Sequence, residues 1–196
     1  KLILAASCGI EVDRIVPYKP LLDQAIELAE TKPERCIILQ RPQAQAEMVA
    51  RRDLDWTELA AAAQPVDCVP VAATDPLYIL YPSGTTGMPK MVLHTHASYG
   101  IGHQVTGRFW LDLTENDLHW NISDTGWAKA AWSSLFGPWI CGASLFVQHT
   151  VGRFEPQEVL TLLEQYPVTT MCSAPTIYRL LVQQDLDAFQ PAALRH

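Results

Sequence analysis

The sequence predicts an α/β protein in which parallel sheets are flanked by helices. Near the start of the chain a short apolar run, an amphipathic segment and a second apolar run follow one another, and strand and helix patterns alternate over the second half. Alternating strands and helices are typical of parallel sheets. A hydrophobic content of 48% over 196 residues is ample for a packed core.

Residues 1–75 are interpreted as a strand–helix–strand unit followed by a connector. The apolar run "KLILAAS" predicts a strand, and "LLDQAIELAE", whose apolar residues recur at helical spacing after Pro20, predicts a helix. "CIILQ" predicts a second buried strand. The polar, alanine-rich stretch from Arg41 to Thr74 is predicted to be the connector. It should contain one short helix in "DWTELAAAAQ" that begins at Asp55 or Thr57.

Residues 76–196 are interpreted as a hairpin followed by a further α/β unit. "LYILY" and "MVLHTH" predict the two strands of the hairpin, and "HASYGIGHQVTGRF" predicts a helix that its three glycines weaken. The later segments predict, in order, a strand in "LHWNIS", a turn at residues 124–126, an aromatic-rich helix in "WAKAAWSSLFGPW", a strand in "SLFVQH", a helix in "EPQEVLTLLEQY", a strand in "TTMCS" and a helix in "PTIYRLLVQQDL".

Composition narrows the class of protein. The 14 Lys and Arg against 21 Asp and Glu give a net charge of -7, and no basic run is present that could release counterions from a nucleic acid, so nucleic acid is not expected as a partner. No apolar run approaches the roughly 20 residues needed to span a bilayer. Five scattered cysteines favour neither a disulfide framework nor a zinc site. We expect a soluble protein in a reducing compartment, the cytoplasm or the mitochondrial matrix.

The segment "YPSGTTGMPK", residues 81–90, lies between the two hairpin strands and has the chemistry of a phosphate-binding loop. Glycines let backbone N–H groups turn toward a polyphosphate, hydroxyls add donors, and a lysine supplies positive charge. The residues with these properties are Ser83, Gly84, Thr85, Thr86, Gly87 and Lys90.

This loop has two other interpretations. The loop of P-loop NTPases has a glycine before its lysine and a hydroxyl residue after it, whereas here Pro89 precedes Lys90 and Met91 follows. That class also requires a helix after the lysine, and here a strand is predicted. A long hairpin turn rich in Gly, Ser and Pro is the simpler alternative, but turn chemistry alone does not call for the ordered run SGTTGxPK.

This loop resembles the phosphate-binding signature of the adenylate-forming (AMP-binding) superfamily, [YF]TSG[ST]TGxPKG. "SDTGW" at residues 123–127, "FGPWICGASLFV" and "SAPTIYRLL" resemble later regions of acyl-CoA synthetases, so that the resemblance covers essentially the whole chain. From residue 91 on the sequence is most similar to medium-chain acyl-CoA synthetases, and residues 1–75 look more like propionyl- or acetyl-CoA synthetases. The resemblance implies part of the large N-terminal domain of an adenylate-forming enzyme.

The resemblance also implies a reaction. A carboxylic acid would be activated by ATP, accompanied by Mg²⁺, to an acyl-adenylate, and coenzyme A would then take the acyl group. The serine, threonines and glycines of residues 83–87 would hold the β- and γ-phosphates, with Lys90, Thr85 and Thr86 closest to the chemistry. No general base is required, because the carboxylate is already a nucleophile.

The resemblance further implies an acyl pocket formed by Trp127, Ala128, Lys129 and His96. Ala128 and Lys129 stand where short-chain relatives tend to carry a β-branched aliphatic residue and a threonine, so that a small Ala128 leaves room for a longer or aromatic acyl group. Trp132, Phe136 and Trp139, on the following helix, are expected in the core. Asp124 is expected to cap that helix.

The chain departs from the family pattern in two respects. Pro82 stands where the family has a threonine, which removes a hydroxyl and a backbone N–H at the entry to the loop. The family's adenine-stacking, ribose-binding, hinge and C-terminal lysine elements do not occur before His196, so a truncated chain, inactive alone, is expected. The alternatives are a non-catalytic nucleotide- or acyl-binding remnant of the family and, third, a P-loop NTPase. The sequence predicts no protein metal site and no particular oligomeric state.

Overall fold

The computed structural model describes residues 1–12, 14–81, 91–150 and 152–196. The chain divides into two compact units, one of Lys1–Cys68 with Thr150–Arg153 and one of Val69–His149 with Phe154–His196. The strands of the described residues are β1 (Leu2–Ala6), β2 (Cys8–Glu11), β3 (Arg14–Pro17), β4 (Arg35–Leu39), β5 (Asp53–Asp55), β6 (Pro76–Leu80), β7 (Val92–Thr95), β8 (Leu118–Ile122), β9 (Ser144–Leu145) and β10 (Thr170–Ser173). The helices are α1 (Lys19–Leu28), α2 (Trp56–Ala62), α3 (His96–Phe109), α4 (Ala128–Ala131), α5 (Gly137–Ile140), α6 (Pro156–Gln165) and α7 (Pro175–Leu181), with a π-helical segment at Trp132–Phe136.

The first unit contains the strand–helix–strand arrangement that the sequence predicts. Strands β1, β4 and β5 form a parallel sheet in that order, and α1 lies between β1 and β4 in the chain. Ile26 of α1 packs with Cys36 and Ile38 of β4, which leaves both β4 residues fully buried. Helix α2 begins as expected after Asp55, whose carboxylate accepts hydrogen bonds from the N–H groups of Thr57 and Glu58.

An antiparallel hairpin of β2 and β3 was not predicted. It stands between β1 and α1, and its turn includes Val12 at a φ of 54°. A β-branched residue rarely adopts this left-handed conformation, and the segment has no Asn-Gly or Asp-Gly pair to announce a turn. The sequence signal for this hairpin was therefore absent.

A buried ion pair joins the first residue of α1 to the first residue of β5. Lys19 is 5% exposed, and its Nζ lies 2.9 Å from Oδ2 of Asp53, whose side chain is fully buried. Arg52 Nε lies 2.6 Å from the other oxygen of Asp53. Burial opposes ionisation of Asp53, but the hydrogen bond from Arg52 and the other donors outweigh it and lower the Asp53 pKa to about 2.

The second unit is organised around a parallel sheet with the order β10–β8–β9. Trp120 of β8 packs against Val159, Leu160 and Leu163 of α6 in the main core. The α/β class with parallel sheets and helices is thus confirmed. The strand predicted in "SLFVQH" is much shorter than expected, because only Ser144–Leu145 pair with β8. The N–H of Phe146 adds one further bond of 2.8 Å to the carbonyl of His119.

Strands β6 and β7 form the predicted antiparallel hairpin. A register shift between Pro76 and Tyr78 inserts one extra residue, after which Tyr78 stands opposite His94. Helix α3 follows β7 directly. Its first turn is closed by a capping box, in which Thr95 Oγ1 accepts a bond of 3.2 Å from the N–H of Ser98 and Ser98 Oγ accepts one of 2.9 Å from the N–H of Thr95.

The aromatic-rich helix predicted after residue 127 is present, but a π-helical segment divides it. The N–H of Gly137 donates to the carbonyl of Trp132, five residues earlier. Pro138 explains this change of register, because a proline has no N–H and its ring would clash with the carbonyl four residues before it in a regular α-helix. A Cβ at Gly137 would lie 2.5 Å from the Trp132 oxygen, so glycine fits this turn.

Within the residues described, no helix is both long enough and apolar enough to cross a bilayer. All five cysteines carry free thiols.

Candidate functional site

A cavity of about 250 Å³ lies inside the second unit, between the β6–β7 hairpin, α3 and α4. It is the candidate site for a small molecule. For scale, an engineered apolar cavity of about 150 Å³ binds benzene. The residues that line the cavity are Tyr78 and Leu80 of β6, His94 of β7, Ser98, Tyr99, Gly102, His103 and Thr106 of α3, Ala128 and Ala131 of α4, and Trp132.

Strand alternation explains what the hairpin contributes. Side chains two apart on a strand share a face, so Tyr78 and Leu80 both face the cavity. The register places His94 opposite Tyr78 and therefore on that face. Leu77 and Ile79, on the other face, remain 45% and 48% exposed.

Helical periodicity explains the contribution of α3. Ser98, Gly102 and Thr106 recur every four residues and form one stripe, and Tyr99 and His103 form the adjacent stripe. Gly102 has no Cβ, and no atom of the described residues lies within 4 Å of the position that a Cβ would take. This glycine therefore leaves open volume on the helix wall.

The third wall carries small side chains beside one large ring. Ala128 and Ala131 lie one turn apart on α4, and Trp132 begins the π-helical segment that follows. Trp132 packs, half-buried, against the core cluster of Leu111, Leu113 and Ala143, as expected, but it also lines the cavity, which was not expected. Phe136 and Trp139 are 41% and 61% exposed, so neither is a core residue in this structure.

Tyr99 is the centre of an aromatic cluster that closes one side of the cavity. Its ring centroid lies 5.5 Å from that of Tyr78, 5.2 Å from His94, 4.2 Å from His103 and 5.6 Å from Phe136. Most of these pairs meet edge to face, the geometry that aromatic quadrupoles favour. Burial, with a smaller effect of Tyr78, raises the pKa of the Tyr99 phenol, which is therefore neutral at physiological pH.

Among the described residues that line the cavity, His103 alone has a buried polar atom that lacks a hydrogen-bond partner. The residue is 8% exposed, and its Nε2 has no hydrogen-bond partner in the described part of the chain. Burial, and to a lesser degree the nearby His94, lowers the pKa of His103 below its usual value. The imidazole is therefore neutral at pH 7, with one nitrogen a donor and the other an acceptor.

The two aliphatic hydroxyls that line the cavity already have partners. Ser98 Oγ belongs to the capping box with Thr95. Thr106 Oγ1 donates a hydrogen bond of 2.8 Å to the backbone carbonyl of Gly102. Neither hydroxyl therefore requires a ligand oxygen as a hydrogen-bond partner.

The structure brings one of the four predicted acyl-pocket residues to this cavity. Ala128 lines it, whereas Trp127, Lys129 and His96, all within the described residues, do not. Trp127 is 67% exposed. His96 is half-buried at the start of α3. The role of these three in acyl binding stays a prediction.

The predicted phosphate-binding residues Ser83, Gly84, Thr85, Thr86, Gly87 and Lys90, and the unusual Pro82, lie outside the described residues. Their assignment likewise stays a prediction. What the structure describes is the pair of strands on either side of them, β6 and β7.

Two neighbouring polar residues act structurally. Asp124 was expected to cap α4, but it does not. Its Oδ1 instead accepts a hydrogen bond of 2.6 Å from the N–H of Gly126 within the preceding turn. His119 is fully buried, with Nδ1 2.7 Å from Thr170 Oγ1 and Nε2 3.4 Å from Ser133 Oγ. Burial is the main cause that lowers the His119 pKa to about 4.

Sequence reasoning missed Tyr78, Tyr99 and His103 as lining residues. A signal was present, since Tyr99 and His103 are four apart on a predicted helix and Tyr78 and Leu80 are two apart on a predicted strand. These spacings show which side chains share a face of a helix or a strand. They do not show which of these faces pack against one another.

Comparison with known proteins defines the class. The family model for AMP-binding enzymes matches residues 7–196, and the chain therefore belongs to the AMP-binding enzyme family. This agrees with the resemblance drawn from the glycine-rich loop and the later motifs.

Individual relatives are more specific. The chain is 54% identical over 129 residues to human "Acyl-coenzyme A synthetase ACSM3, mitochondrial", an alignment that covers 66% of this chain and 22% of that protein. It is 50% identical over 138 residues to rat "Acyl-coenzyme A synthetase ACSM4, mitochondrial", with 70% of this chain and 24% of that protein covered. An uncharacterized protein of Pseudomonas aeruginosa is 37% identical over 209 aligned residues, 100% of this chain and 32% of that protein. The chain thus spans less than a third of the length of these relatives.

Proposed function

We propose that this chain is part of an ATP-dependent acyl-CoA synthetase that activates a short- or medium-chain carboxylic acid through an acyl-adenylate. The family match over residues 7–196 is the observation that carries the proposal. The names of the relatives, acyl-coenzyme A synthetases at 54% and 50% identity, support it. ATP, the acid and coenzyme A are the substrates in this proposal.

In the proposed reaction, the chain needs mainly to position the substrates and to balance the charge of the phosphates. A carboxylate is already ionised at neutral pH, so no general base is needed for its attack on the α-phosphorus, and the departing pyrophosphate carries the developing charge. In this proposal, N–H groups and hydroxyls of residues 83–87 hold the β- and γ-phosphates, and Lys90 balances their charge. The cavity beside Ala128 receives the body of the acid.

Magnesium would accompany ATP. The described residues offer no cluster of three or more His, Cys, Asp or Glu side chains for a metal ion. This is compatible with an ion that takes its ligands mainly from nucleotide phosphates and water, as Mg²⁺ usually does.

The proposal is tested in the full-length protein that contains this chain. With ATP, an acid series and coenzyme A, we expect pyrophosphate release that depends on the acid, and an acyl-CoA product by mass spectrometry. Lys90→Gln should lower kcat by at least tenfold, because the loop loses its cation. Lys32→Gln makes the same charge change in the first unit and should leave kcat unaltered. ATP cleavage without any acid would refute the proposal.

The second candidate is a non-catalytic binding remnant of the family, which Pro82 favours because it removes a donor from the loop. A full-length protein that binds ATP and acids but never releases pyrophosphate would support it. Pro82→Thr should tighten ATP binding by about tenfold if the lost donor is responsible. We also propose that the 196-residue chain alone forms no acyl-CoA, since its relatives are about three times as long.

A further inference from the structure

The cavity contains a chemical mismatch at His103. Its lining is mostly apolar or aromatic, yet the imidazole of His103 borders it with Nε2 buried and unpartnered among the described residues. A buried polar atom without a hydrogen bond costs roughly 1 to 3 kcal/mol, so proteins seldom retain one without a reason.

Contacts among the described residues do not remove this cost. Tyr99 meets the His103 ring edge to face at 4.2 Å, but an N–H···π contact is weaker than an ordinary hydrogen bond. Phe136, at 5.5 Å, offers no acceptor. The hydroxyls of Ser98 and Thr106 are engaged with the helix backbone.

A single water is a poor substitute for the missing partner. A buried water is stable when two to four polar groups hold it, and here the hydroxyl hydrogens of Ser98 and Thr106 are already given to the backbone carbonyls of Thr95 and Gly102. A ligand oxygen attached to an apolar body fits better, because the body covers the aromatic walls while the oxygen meets the imidazole.

The ring can reach such a ligand without repacking. The χ2 torsion of histidine is broad and roughly two-fold, and a half-turn exchanges Nε2 with Cε1 while the outline of the ring stays the same. A neutral imidazole can donate to or accept from a hydroxyl, whichever nitrogen carries the proton.

We propose that the cavity is specific for carboxylic acids that carry a hydroxyl at the end remote from the carboxylate, and that His103 binds this hydroxyl. This inference rests on the proposed function, since it names the substrate class of that same site. A ring of the size of benzene with a few further atoms fits the cavity of about 250 Å³. His103 is a binding residue in this account and takes no part in the transfer of the acyl group.

The test compares matched acids in the full-length protein by isothermal titration. The probes are benzoate, phenylacetate and 3-phenylpropanoate, each with a para hydroxyl or a para methyl group of similar size. At the length that brings the oxygen to the imidazole, the hydroxy acid should bind about tenfold or more tightly than the methyl acid. Equal or weaker binding of the hydroxy acid at all three lengths overturns the inference.

Two variants locate the effect. His103→Phe keeps a ring but removes both nitrogens, so the preference should reverse in favour of the methyl acid, which is cheaper to desolvate. Thr106→Val is the matched control: it also replaces a lining polar group by an apolar one of similar shape, but its hydroxyl already has a partner, and the preference should persist. A hydroxyl preference that survives in His103→Phe contradicts the assignment.

Two further measurements keep the outcomes separate. The ¹⁵N resonance of His103 Nε2 in the wild-type protein should shift with the hydroxy acid and not with the methyl acid, which tests the inference even if His103→Phe fails to fold. A shift of equal size with both acids, or none, indicates water at this nitrogen and counts against the inference. If pyrophosphate release is absent while the binding preference and its loss in His103→Phe remain, the proposed function fails and this inference stands.

Discussion

Gly102 and Gly100 offer a paired test of the cavity. Both lie in α3, and in the part of the chain that the structure describes nothing lies within 4 Å of the position of an added Cβ at either glycine. Only Gly102 lines the cavity. We expect Gly102→Leu to fill part of the acid-binding volume and Gly100→Leu to leave it unchanged.

The magnitude follows from the four carbon atoms that the leucine side chain adds. If they exclude an equal number of substrate carbons, the loss at about 0.8 kcal/mol each is roughly 3 kcal/mol, or about a hundredfold in kcat/KM. The loss should grow with acid length and be absent for the shortest acids, which do not reach the filled volume. Leucine is a better helix former than glycine, so both variants should gain up to about 1 kcal/mol in stability.

The assay is acid-dependent pyrophosphate release by the full-length protein over straight-chain acids of increasing length, with thermal melting as the folding control. Gly100→Leu should retain the wild-type profile, and Gly102→Leu should lose the longer acids selectively. Equal profiles for the two variants would refute the assignment of the cavity to the acid. A uniform loss at every length would instead indicate damage to the fold of α3.

Three further predictions concern stability, measured by urea denaturation of the chain. Burial depresses the His119 pKa to about 4, so the contribution of the neutral imidazole to stability is complete above about pH 6.5 and is lost as pH falls toward 4. The free energy of unfolding of the wild type should therefore fall by about 2 kcal/mol between pH 7 and pH 5 relative to His119→Gln. Parallel curves of unfolding free energy against pH for the two proteins would contradict this. Asp53→Asn should cost about 3 kcal/mol because it leaves the buried charge of Lys19, 5% exposed, with the carboxylate of Asp23 in place of two carboxylate partners, and a loss below about 1 kcal/mol would count against that reason. Gly107→Ala should cost about 2 kcal/mol, since its Cβ would lie 2.8 Å from Cys141 Sγ, and an unchanged midpoint would show that the contact relaxes freely.

The sequence predicted those elements whose signal is local. The spacing of apolar residues was sufficient to predict β1, α1 and β4. Asp55, a residue type that favours the cap position, was sufficient to predict the start of α2. The β2–β3 hairpin escaped because Val12 takes a left-handed φ without a glycine to announce it. The π-helical segment escaped because its register change depends on Gly137 and Pro138 acting together.

The candidate site was predicted in part, and the missing part has a physical reason. Ala128 was found by resemblance, since it lies in a recognisable motif beside Trp127. His103 belongs to no such motif, and a histidine on a helix face is usually satisfied by its neighbours. Only the packing of α3 against the β6–β7 hairpin and the π-helical segment shows that its Nε2 is buried and lacks a partner among the described residues. This property depends on tertiary packing, and the spacing of residues in the sequence gives no sign of it.

The hairpin connects the two halves of the proposed chemistry. Tyr78 and Leu80 line the cavity from β6, and Leu80 stands two residues before Pro82, where the predicted phosphate loop begins. His94 lines the cavity from β7, four residues after Lys90. In the proposed function, the strands that would contact the acid therefore carry both ends of the loop that would hold ATP. The small residues of α3 and α4 would set the acid size, and they lie outside residues 82–90 in the sequence. Chain-length preference should therefore change there without loss of the phosphate contacts, whereas a change at Leu80 should disturb both.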